Sequence, residues 1–506
     1  MESIEKKTWF TIVNEFIHKY EKYIFNFLLL LCLFIAFIYG ISFKIMNDGF
    51  WHIKVGEYII KNRTIPYHDI FSWYGMSKNL QWTSHEWLFG VLSYLIYSIH
   101  GFLSAALFMG IMNTSISFML YKLLEIRSKS KWIALLCMGS YIVMFGSESS
   151  LAYRPIIVSL LLIPVTCILL EKNRYIAALF AVILGINFHG GVYPIYIIVF
   201  AYYTLFKNYK YFVAVLVGVF VNPYTYGIYL YTIRSMNEMH LQKQYINEWK
   251  VTQLYDLKFS LAIIIFIVFV YIFGKVKLKD ILFSGSFIIL AISAVRQIIF
   301  LPVLALPIMS PYIKPALKEF SERYIVHNKI IEDIKSKIGF FKGTLIIKSI
   351  IIIVIELAII IPNGLYCYDF FKNGTKIFKI SAADCPVQAV DYINKHPEIK
   401  YSHLLSHYND SQYLIFRGIP TFVDSRADLF LPSFNKDTNA FYDFMHAFID
   451  LYDPQDLINK YNIKYILVNK SYSIYEILSG YKNLSVVYED SNYCIFKVDY
   501  FIGNIY

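Results

Sequence analysis

An acidic, histidine-containing segment follows the first long apolar run of this 506-residue chain. It reads NDGFWHIKVGEYIIKNRTIPYHDIFSW and begins at Asn47. Asp48 and His52 are four residues apart, so on a helix they lie on one face. A carboxylate beside an imidazole suits a general base with its partner, or a divalent metal site. The structural alternative is that Asp48 caps a juxtamembrane helix and His52 lies in the interfacial belt with Trp51.

Three later segments carry further candidate groups. In QWTSHEWLFG, His85 and Glu86 precede an apolar segment, where Glu86 equally suits the first turn of a helix and its dipole. In SESSLAYRP, Glu148 and Arg154 either pair with each other or leave the guanidinium free to hold an anion. In NFHGGVYP, His189 precedes two glycines, which permit a sharp turn or the close approach of a ligand.

Three more segments add charged side chains. Glu248 lies in INEWK, and Arg296 in RQIIFLPVLALP has no acidic neighbour in the sequence. An arginine at a membrane boundary either binds an anion, such as a lipid phosphate, or extends towards lipid headgroups. Near the C-terminus, FVDSRADLF places Asp424 and Arg426 either in a ligand-facing loop or in a structural ion pair.

The composition is that of a polytopic membrane protein. Apolar residues make up 57% of the chain and charged residues 16%, whereas soluble domains are about a quarter charged. The net charge is +11, and the Lys and Arg residues lie between apolar runs. This placement indicates that the basic residues lie on the cytoplasmic side of a membrane and do not bind nucleic acid. The abundance of Ile, Lys, Asn, Tyr and Phe indicates an AT-rich bacterial genome.

Eleven apolar segments are predicted to cross the membrane, at 23–43, 102–121, 132–146, 156–170, 175–188, 192–206, 211–231, 259–273, 281–295, 298–313 and 345–361. A twelfth, EWLFGVLSYLIYSIH, is marginal in length. If it lies at the outer interface without crossing, the basic segments share the cytoplasmic side with the N-terminus. The alternative of twelve crossings separates these basic segments.

The eleven-crossing topology brings the candidate groups to the outer face, namely Asp48, His52, His85, Glu86, Glu148, Arg154, His189, Glu248 and Arg296. Residues 1–364 then form a membrane domain, with a first outer loop at 44–101. Residues 365–506 form an extracytoplasmic α/β domain, in which TFVDS and KYILVNK are predicted strands and LSVVYED and YCIFKVD a hairpin. The predicted fold class is a polytopic α-helical membrane protein with a C-terminal α/β domain.

Several common catalytic motifs are missing from the sequence. It contains no Walker A sequence, no Gly-x-Ser-x-Gly, no His-Glu-x-x-His and no Rossmann fingerprint. We therefore expect no nucleotide cofactor. An enzyme acting on the outer face, where nucleotide sugars are lacking, would use a lipid-linked donor.

The order of short motifs resembles a group of bacterial membrane proteins related to the GT-C superfamily of polyprenyl-phosphate-sugar-dependent glycosyltransferases. The motifs are DGFWHIKVGEYIIKNRTIPYHDIFS, WTSHEWL, RP at Arg154, NFHGG, NPYTYG, NEW, Arg296 and DSRADLF. They cover nearly the whole chain. The resemblance implies about a dozen crossings, a large first outer loop and a soluble C-terminal domain. The chain lacks the Asp-x-Asp and Pro-Pro pairs of better-known members.

The resemblance also implies roles for individual residues. Asp48 occupies the position of the acid in the first loop of that family, Glu148 that of a second acid, and WTSHEWL resembles the start of the next helix. Asp48, His52 and Glu86 would be catalytic. The residues expected to bind substrates are His85, Glu148, Arg154, His189, Glu248, Arg296, Asp424 and Arg426. A divalent metal ion, if one is used, would be held by Asp48, Glu86 and His189.

The function implied is inverting transfer of a sugar from a polyprenyl-phosphate-linked donor to a glycan, lipid or protein acceptor. It would take place at the outer face of a bacterial cell membrane, with membrane lipids as further partners and without nucleic acid. Two other hypotheses stay open. One is a transport component that exports a lipid-linked glycan, and the other is a non-catalytic membrane scaffold that binds glycans.

Overall fold

The structure is a computed structural model that describes residues 9–42, 48–147, 153–325, 385–436 and 438–500. The predicted crossing at 345–361 and the side chain of Glu148 lie outside these ranges. Before residue 326, the described chain forms fifteen α-helices. They are α1 (Trp9–Ile41), α2 (Asp48–Asn62), α3 (Trp73–Ser77), α4 (Trp87–His100), α5 (Phe102–Ser128), α6 (Lys131–Ser147), α7 (Ile156–Glu171), α8 (Tyr175–Phe188), α9 (Tyr193–Thr204), α10 (Tyr209–Gly218), α11 (Gly227–Asn237), α12 (Met239–Tyr245), α13 (Leu254–Phe273), α14 (Leu278–Ser293) and α15 (Leu306–Phe320).

Three segments are long and apolar enough to cross a membrane, namely Lys19–Ile41, Phe102–Ser128 and Val295–Tyr324. Shorter apolar helices of 10–17 residues accompany them, including α4, which is the marginal twelfth segment of the sequence. These helices indicate association with a membrane. The predicted count of eleven crossings is not established by the structure.

One predicted crossing segment is interrupted. The segment 211–231 is not a continuous helix, because α10 ends at Gly218 and α11 begins at Gly227. The Asn222 side chain accepts a hydrogen bond from the Tyr224 amide at 2.8 Å, which stabilises a turn. Pro223 favours the same break, since it has no amide proton to donate and disfavours a helical residue before it.

The end of the helical bundle remote from Arg154 is held by a buried arginine. Arg127, at the end of α5, forms an ion pair with Glu171 at the end of α7. Arg127 also donates to the Tyr202 hydroxyl at 2.8 Å and to the Pro307 carbonyl at 2.6 Å. Helices α7 and α8 therefore run between this end and the opposite end, where Arg154 precedes α7 and His189 follows α8.

Helices α2 and α4 approach each other closely at a pair of glycines. A Cβ atom added to Gly56 would lie 2.0 Å from the Gly90 carbonyl oxygen, and one added to Gly90 would lie 2.6 Å from Val55 Cγ1. Since real Cβ atoms do not approach other heavy atoms so closely, the contact requires glycine on both helices. The two backbones consequently pack without intervening side chains.

The C-terminal domain is α/β, as predicted. Its helices are α16 (Val387–Lys395), α17 (Pro397–Lys400), α18 (Ser411–Phe416), α19 (Ala440–Phe448), α20 (Pro454–Lys460) and α21 (Ser473–Ser479). Its strands are β1 (Leu404–Ser406), β2 (Tyr465–Asn469), β3 (Leu484–Glu489) and β4 (Tyr493–Val498). The sheet order is β1-β2-β4-β3, with β1 and β2 parallel and the other pairs antiparallel. The predicted strand at KYILVNK and the terminal hairpin are confirmed.

The strand predicted at TFVDS is wrong. Thr421 makes an isolated bridge with Ser72 of the first loop, and the chain then turns at Asp424. The Asp424 carboxylate accepts a hydrogen bond from the Arg426 amide at 2.9 Å, which closes the turn. The apolar residues of this segment are buried in a loop, where their pattern cannot be told from that of a short strand.

The first loop and the C-terminal domain share one hydrophobic core. The Trp73 indole donates to the Leu404 carbonyl at 2.9 Å, and its ring stacks on His403 at 4.2 Å between centroids. The Trp73 amide donates to the Thr421 carbonyl at 2.8 Å. Buried Trp51, Tyr74 and Trp82 belong to the same cluster as the domain core. The domain is therefore fixed against the loop that carries Asp48, His52 and Glu86.

The glycine contact predicts the effect of a minimal substitution. Gly56→Ala should destabilise the protein by roughly 1–3 kcal/mol, because α2 and α4 must separate to admit the methyl group. Thermal unfolding of the purified protein in detergent measures the change. Gly285→Ala in α14 is the control, since its Cβ would meet nothing closer than 3.9 Å. An equal effect of the two substitutions would contradict the contact.

Candidate functional site

Three imidazoles surround the carboxyl group of Glu86. His52 Nε2 lies 3.4 Å from Glu86 Oε2, while His189 Nε2 and His85 Nε2 lie 3.6 Å and 3.7 Å from Oε1. The side chain of His52 is 1% exposed, and that of Glu86 is 16% exposed. We call these four residues the Glu86 cluster. The cluster is therefore closed to solvent at His52 and slightly exposed at Glu86.

The glycine contact between α2 and α4 positions two members of the cluster. His52 precedes Gly56 by four residues, and Glu86 precedes Gly90 by four residues. Residues four apart lie one above the other on a helix, so the glycine contact brings His52 next to Glu86. Residues Trp51 and Phe89 enclose the His52 ring, with centroid distances of 3.8 Å and 5.0 Å.

The turn after α8 positions His189. The Gly190 amide donates to the His85 carbonyl at 3.1 Å, which joins this turn to the segment that carries Glu86. A Cβ atom at Gly190 would lie 3.0 Å from His85 Cβ, so glycine permits the approach. The Ser159 hydroxyl lies 3.1 Å from His189 Nδ1 and orients the ring towards Glu86.

Burial controls the protonation of the Glu86 cluster. Burial, and after it the negative charge of Asp48, raise the pKa of Glu86 to about 8, against the opposing charges of Arg296 and Arg154. Burial lowers the pKa of His85 to about 4 and lowers those of His52 and His189 well below the ordinary value. At neutral pH the three imidazoles are therefore neutral, and the Glu86 carboxyl holds a proton.

A row of alternating charges lies beside the cluster. Arg154 Nε is 2.9 Å from Asp48 Oδ2, and Arg154 Nη1 donates to Glu248 Oε2 at 2.7 Å. Arg296 Nη1 is 3.7 Å from Glu248 Oε1, and its guanidinium lies over the Trp249 ring at 4.3 Å. We call this row the Arg154–Arg296 row. Its outer members, Glu248 and Arg296, are about one-third exposed, at 36% and 34%.

The partners of Asp48 tie the row to both domains. The Ser425 hydroxyl of the C-terminal domain donates to Asp48 Oδ1, and the Trp51 indole donates to the same oxygen at 3.3 Å. With Arg154 on Oδ2, both carboxylate oxygens are engaged. Asp48 is consequently placed to hold Arg154, and it is less suited to remove a proton from a substrate.

Arg426 forms a buried ion triplet. Its guanidinium contacts Asp424 at 2.7 Å and Asp69 of the first loop at 2.8 Å, and all three side chains are at most 2% exposed. The guanidinium also lies 4.5 Å from the Trp82 ring centroid. The sequence leaves a ligand-facing loop and a structural ion pair open, and this geometry favours the latter. The role of the triplet is to join the C-terminal domain to the first loop.

The three predicted metal ligands do not form one group. The Asp48 carboxylate contacts Arg154, whereas Glu86 and His189 contact each other. Among the residues that the structure describes, no set of three or more His, Cys, Asp and Glu side chains is arranged to hold a metal ion. The divalent metal therefore stays a prediction from the sequence.

The predicted convergence is observed for eight residues, with Asp48, Arg154, Glu248 and Arg296 in the row and His52, His85, Glu86 and His189 in the cluster. Sequence reasoning assigned no site role to four partners in this region, namely Asp69, Ser159, Tyr231 and Asp428. The Tyr231 ring packs on His85 at 4.3 Å, and Tyr231 bonds to Asp428. No local pattern marks Ser159 or Tyr231, since both lie within segments that the sequence predicts to cross the membrane. Asp69 and Asp428 stand within the segments singled out above.

The raised pKa of Glu86 predicts an infrared signal. A protonated carboxyl band should be present at neutral pH and disappear as the pH rises through about 8. Difference spectra recorded from about pH 6 to about pH 9 on wild type and Glu86→Gln assign the band. In Asp48→Asn the transition should move to lower pH, because the charge of Asp48 raises the pKa of Glu86. A wild-type spectrum identical to that of Glu86→Gln would contradict this protonation state.

Comparison with known proteins assigns no family to this chain. No known protein-family model matches it, and no curated protein matches it. The function must therefore be inferred from the Glu86 cluster, the Arg154–Arg296 row and the surfaces around them.

Proposed function

We propose that the protein is a membrane glycosyltransferase that moves a sugar from a polyprenyl-phosphate-linked donor to an acceptor hydroxyl. The observation that carries the proposal is the juxtaposition of a proton-accepting carboxyl group with two arginines. Glu86 lies within the electrostatic influence of both Arg154 and Arg296, as the effect of their charges on its pKa shows. Transfer from a phosphate leaving group needs both functions, a base for the acceptor and positive charge for the phosphate.

In this proposal Glu86 is the general base. The acceptor oxygen attacks the anomeric carbon of the donor, the bond from that carbon to the phosphate oxygen breaks, and the proton of the acceptor passes to Glu86. The best catalytic base has a pKa near the working pH. With a pKa of about 8, Glu86 meets this condition better than an ordinary exposed glutamate. The sequence hypothesis instead made Asp48 the general base or a metal ligand, and had Glu86 shape the acceptor or metal site.

The three histidines set the state of that base. As neutral imidazoles, they do not hold the carboxylate of Glu86 in a strong ion pair, so its proton affinity stays high. His52 and His189 approach opposite oxygens of the carboxyl group and fix its orientation. Each can exchange a hydrogen bond with Glu86 as the carboxyl gains or loses its proton.

The two arginines stabilise the phosphate in different ways. Arg154 is held between Asp48 and Glu248, so its position is fixed before substrate binds. Arg296 is the less committed cation, at 3.7 Å from Glu248, and a phosphate can replace that carboxylate as its partner. Asp48 acts by positioning Arg154, with Ser425 and Trp51 as its other contacts.

Export of a lipid-linked glycan is the second candidate. A buried carboxyl group that titrates near neutral pH also suits a transporter driven by protons, and Glu86 has this property. Such a protein would move the lipid-linked glycan without breaking the sugar–phosphate bond. Release of free polyprenyl phosphate from the donor therefore separates the two candidates.

The proposal predicts a selective loss of activity in Glu86→Gln. Purified protein in liposomes is supplied with labelled polyprenyl-phosphate-linked hexoses and a membrane-glycan extract as acceptor. We expect release of polyprenyl phosphate by wild type to increase as the pH rises through about 8, because the base must lose its proton first. Glu86→Gln should lower the rate by about 10²–10⁴-fold.

The control is Glu57→Gln in α2, which replaces a glutamate outside the Glu86 cluster. Glu57 pairs with Lys54 and Lys61 on the surface of α2 and should leave the rate unchanged. Thermal unfolding of each variant separates lost chemistry from lost folding. Wild-type rates in folded Glu86→Gln would remove Glu86 from the mechanism, and donor flipped across the membrane without release of polyprenyl phosphate would favour transport.

A further inference from the structure

A polar cavity lies between the first loop, α11 and the C-terminal domain. Its volume is about 230 Å³. This is many times the roughly 10–15 Å³ that one water molecule needs, so the cavity can admit a group as large as a sugar ring. The lining residues that matter most here are Tyr67, Gln81, Thr83, Tyr224, Arg234 and Asp428.

The charges and hydrogen-bonding groups of the cavity are balanced. Arg234 is a donor without acceptor capacity, and the Asp428 carboxylate is an acceptor, so the wall offers one charge of each sign. Gln81 adds both kinds of group. Within the described ranges, the side chains of Gln81, Thr83 and Arg234 form no hydrogen bond or ion pair with other residues. A neutral ligand with several hydroxyl groups can satisfy such a wall, because each hydroxyl both donates and accepts.

The aromatic lining complements these polar groups. The Tyr67 side chain is 51% exposed, and its ring meets the Tyr224 ring at 5.4 Å in an edge-on arrangement. The Tyr224 hydroxyl is fixed by the Ser84 amide at 3.0 Å and the Pro66 carbonyl at 3.2 Å. Tyr67 thus presents a supported aromatic face, against which the C–H groups of a sugar ring can pack.

The cavity adjoins the Glu86 cluster. Asp428 in its wall bonds to Tyr231, whose ring lies 4.3 Å from that of His85. Thr83 is also part of the wall, and its carbonyl oxygen lies 3.2 Å from His85 Nδ1. The negative charge of Asp428 also reaches Glu86 and raises its pKa. A ligand in the cavity therefore lies next to His85, which belongs to the Glu86 cluster.

We propose that this cavity binds a neutral hexopyranose ring, which is the terminal sugar of the acceptor. The identity of that sugar as the acceptor rests on the proposed function. The binding of the ring depends only on the cavity. In this position the ring packs on Tyr67, while Arg234, Asp428 and Gln81 bond to its hydroxyl groups and leave one edge of the ring directed towards the Glu86 cluster.

Saturation-transfer NMR of the purified full-length protein tests the binding, with methyl glucoside, methyl galactoside and methyl mannoside as probes. We expect saturation of at least one probe by wild type. Arg234→Ala should weaken its binding about tenfold, and Gln81→Trp, which fills the cavity, should abolish the signal. Tyr226→Ala is the control, since this exposed tyrosine is not part of the lining and should leave the signal intact.

Two results would overturn the cavity proposal. One is the absence of saturation for all three probes with wild type, and the other is an equal signal from wild type, Arg234→Ala and Gln81→Trp. Because no donor is present, the outcome does not depend on glycosyl transfer. Binding that is lost in the variants supports the cavity even if Glu86→Gln retains full activity. If the protein transfers the sugar from the donor but binds none of the probes, the cavity proposal is overturned and the proposed function stands.

Discussion

The backbone contact between Gly56 of α2 and Gly90 of α4 sets the geometry of the whole region. It leaves no room for a side chain between the helices, and one turn earlier on each helix stand His52 and Glu86. A larger separation of α2 and α4 would move the imidazole away from the carboxyl group. The segment carrying Glu86 is in turn bonded to the turn at His189 through the Gly190 amide. Few atoms therefore determine how the cluster is assembled.

The site combines two electrostatic environments. The Glu86 cluster is largely buried and uncharged at neutral pH. The carboxyl group of Glu86 is protonated, and the imidazoles are in their neutral form. The Arg154–Arg296 row keeps its charges by pairing them and lies nearer to solvent. Asp48 links the two, because it contacts Arg154 and its charge raises the pKa of Glu86. Displacing Glu248 from Arg296 by a phosphate would thus change the field that acts on the proposed base.

Much of this arrangement could be predicted from the sequence. Apolar runs located most helices, and the placement of charged segments between them predicted that Asp48, Glu86, Arg154 and His189 meet at one end. The partner of Arg154 could not be predicted, since Asp48 and Glu248 are remote from it in the chain. The same holds for the pKa of Glu86, because burial by distant segments causes the shift. The break near Asn222 and the turn at Asp424 depend on side-chain hydrogen bonds that hydropathy does not detect.

The central proposal is that Arg296 helps to hold the phosphate of a polyprenyl-linked donor. Mass spectrometry of lipid retained by gently purified protein tests it most directly, with Arg296→Ala beside wild type and Arg174→Ala as a control remote from the row. We expect a polyprenyl phosphate or its glycoside in wild type and Arg174→Ala, and its loss from folded Arg296→Ala. Bulk phospholipid alone in all three proteins would contradict the proposed donor and the role of Arg296.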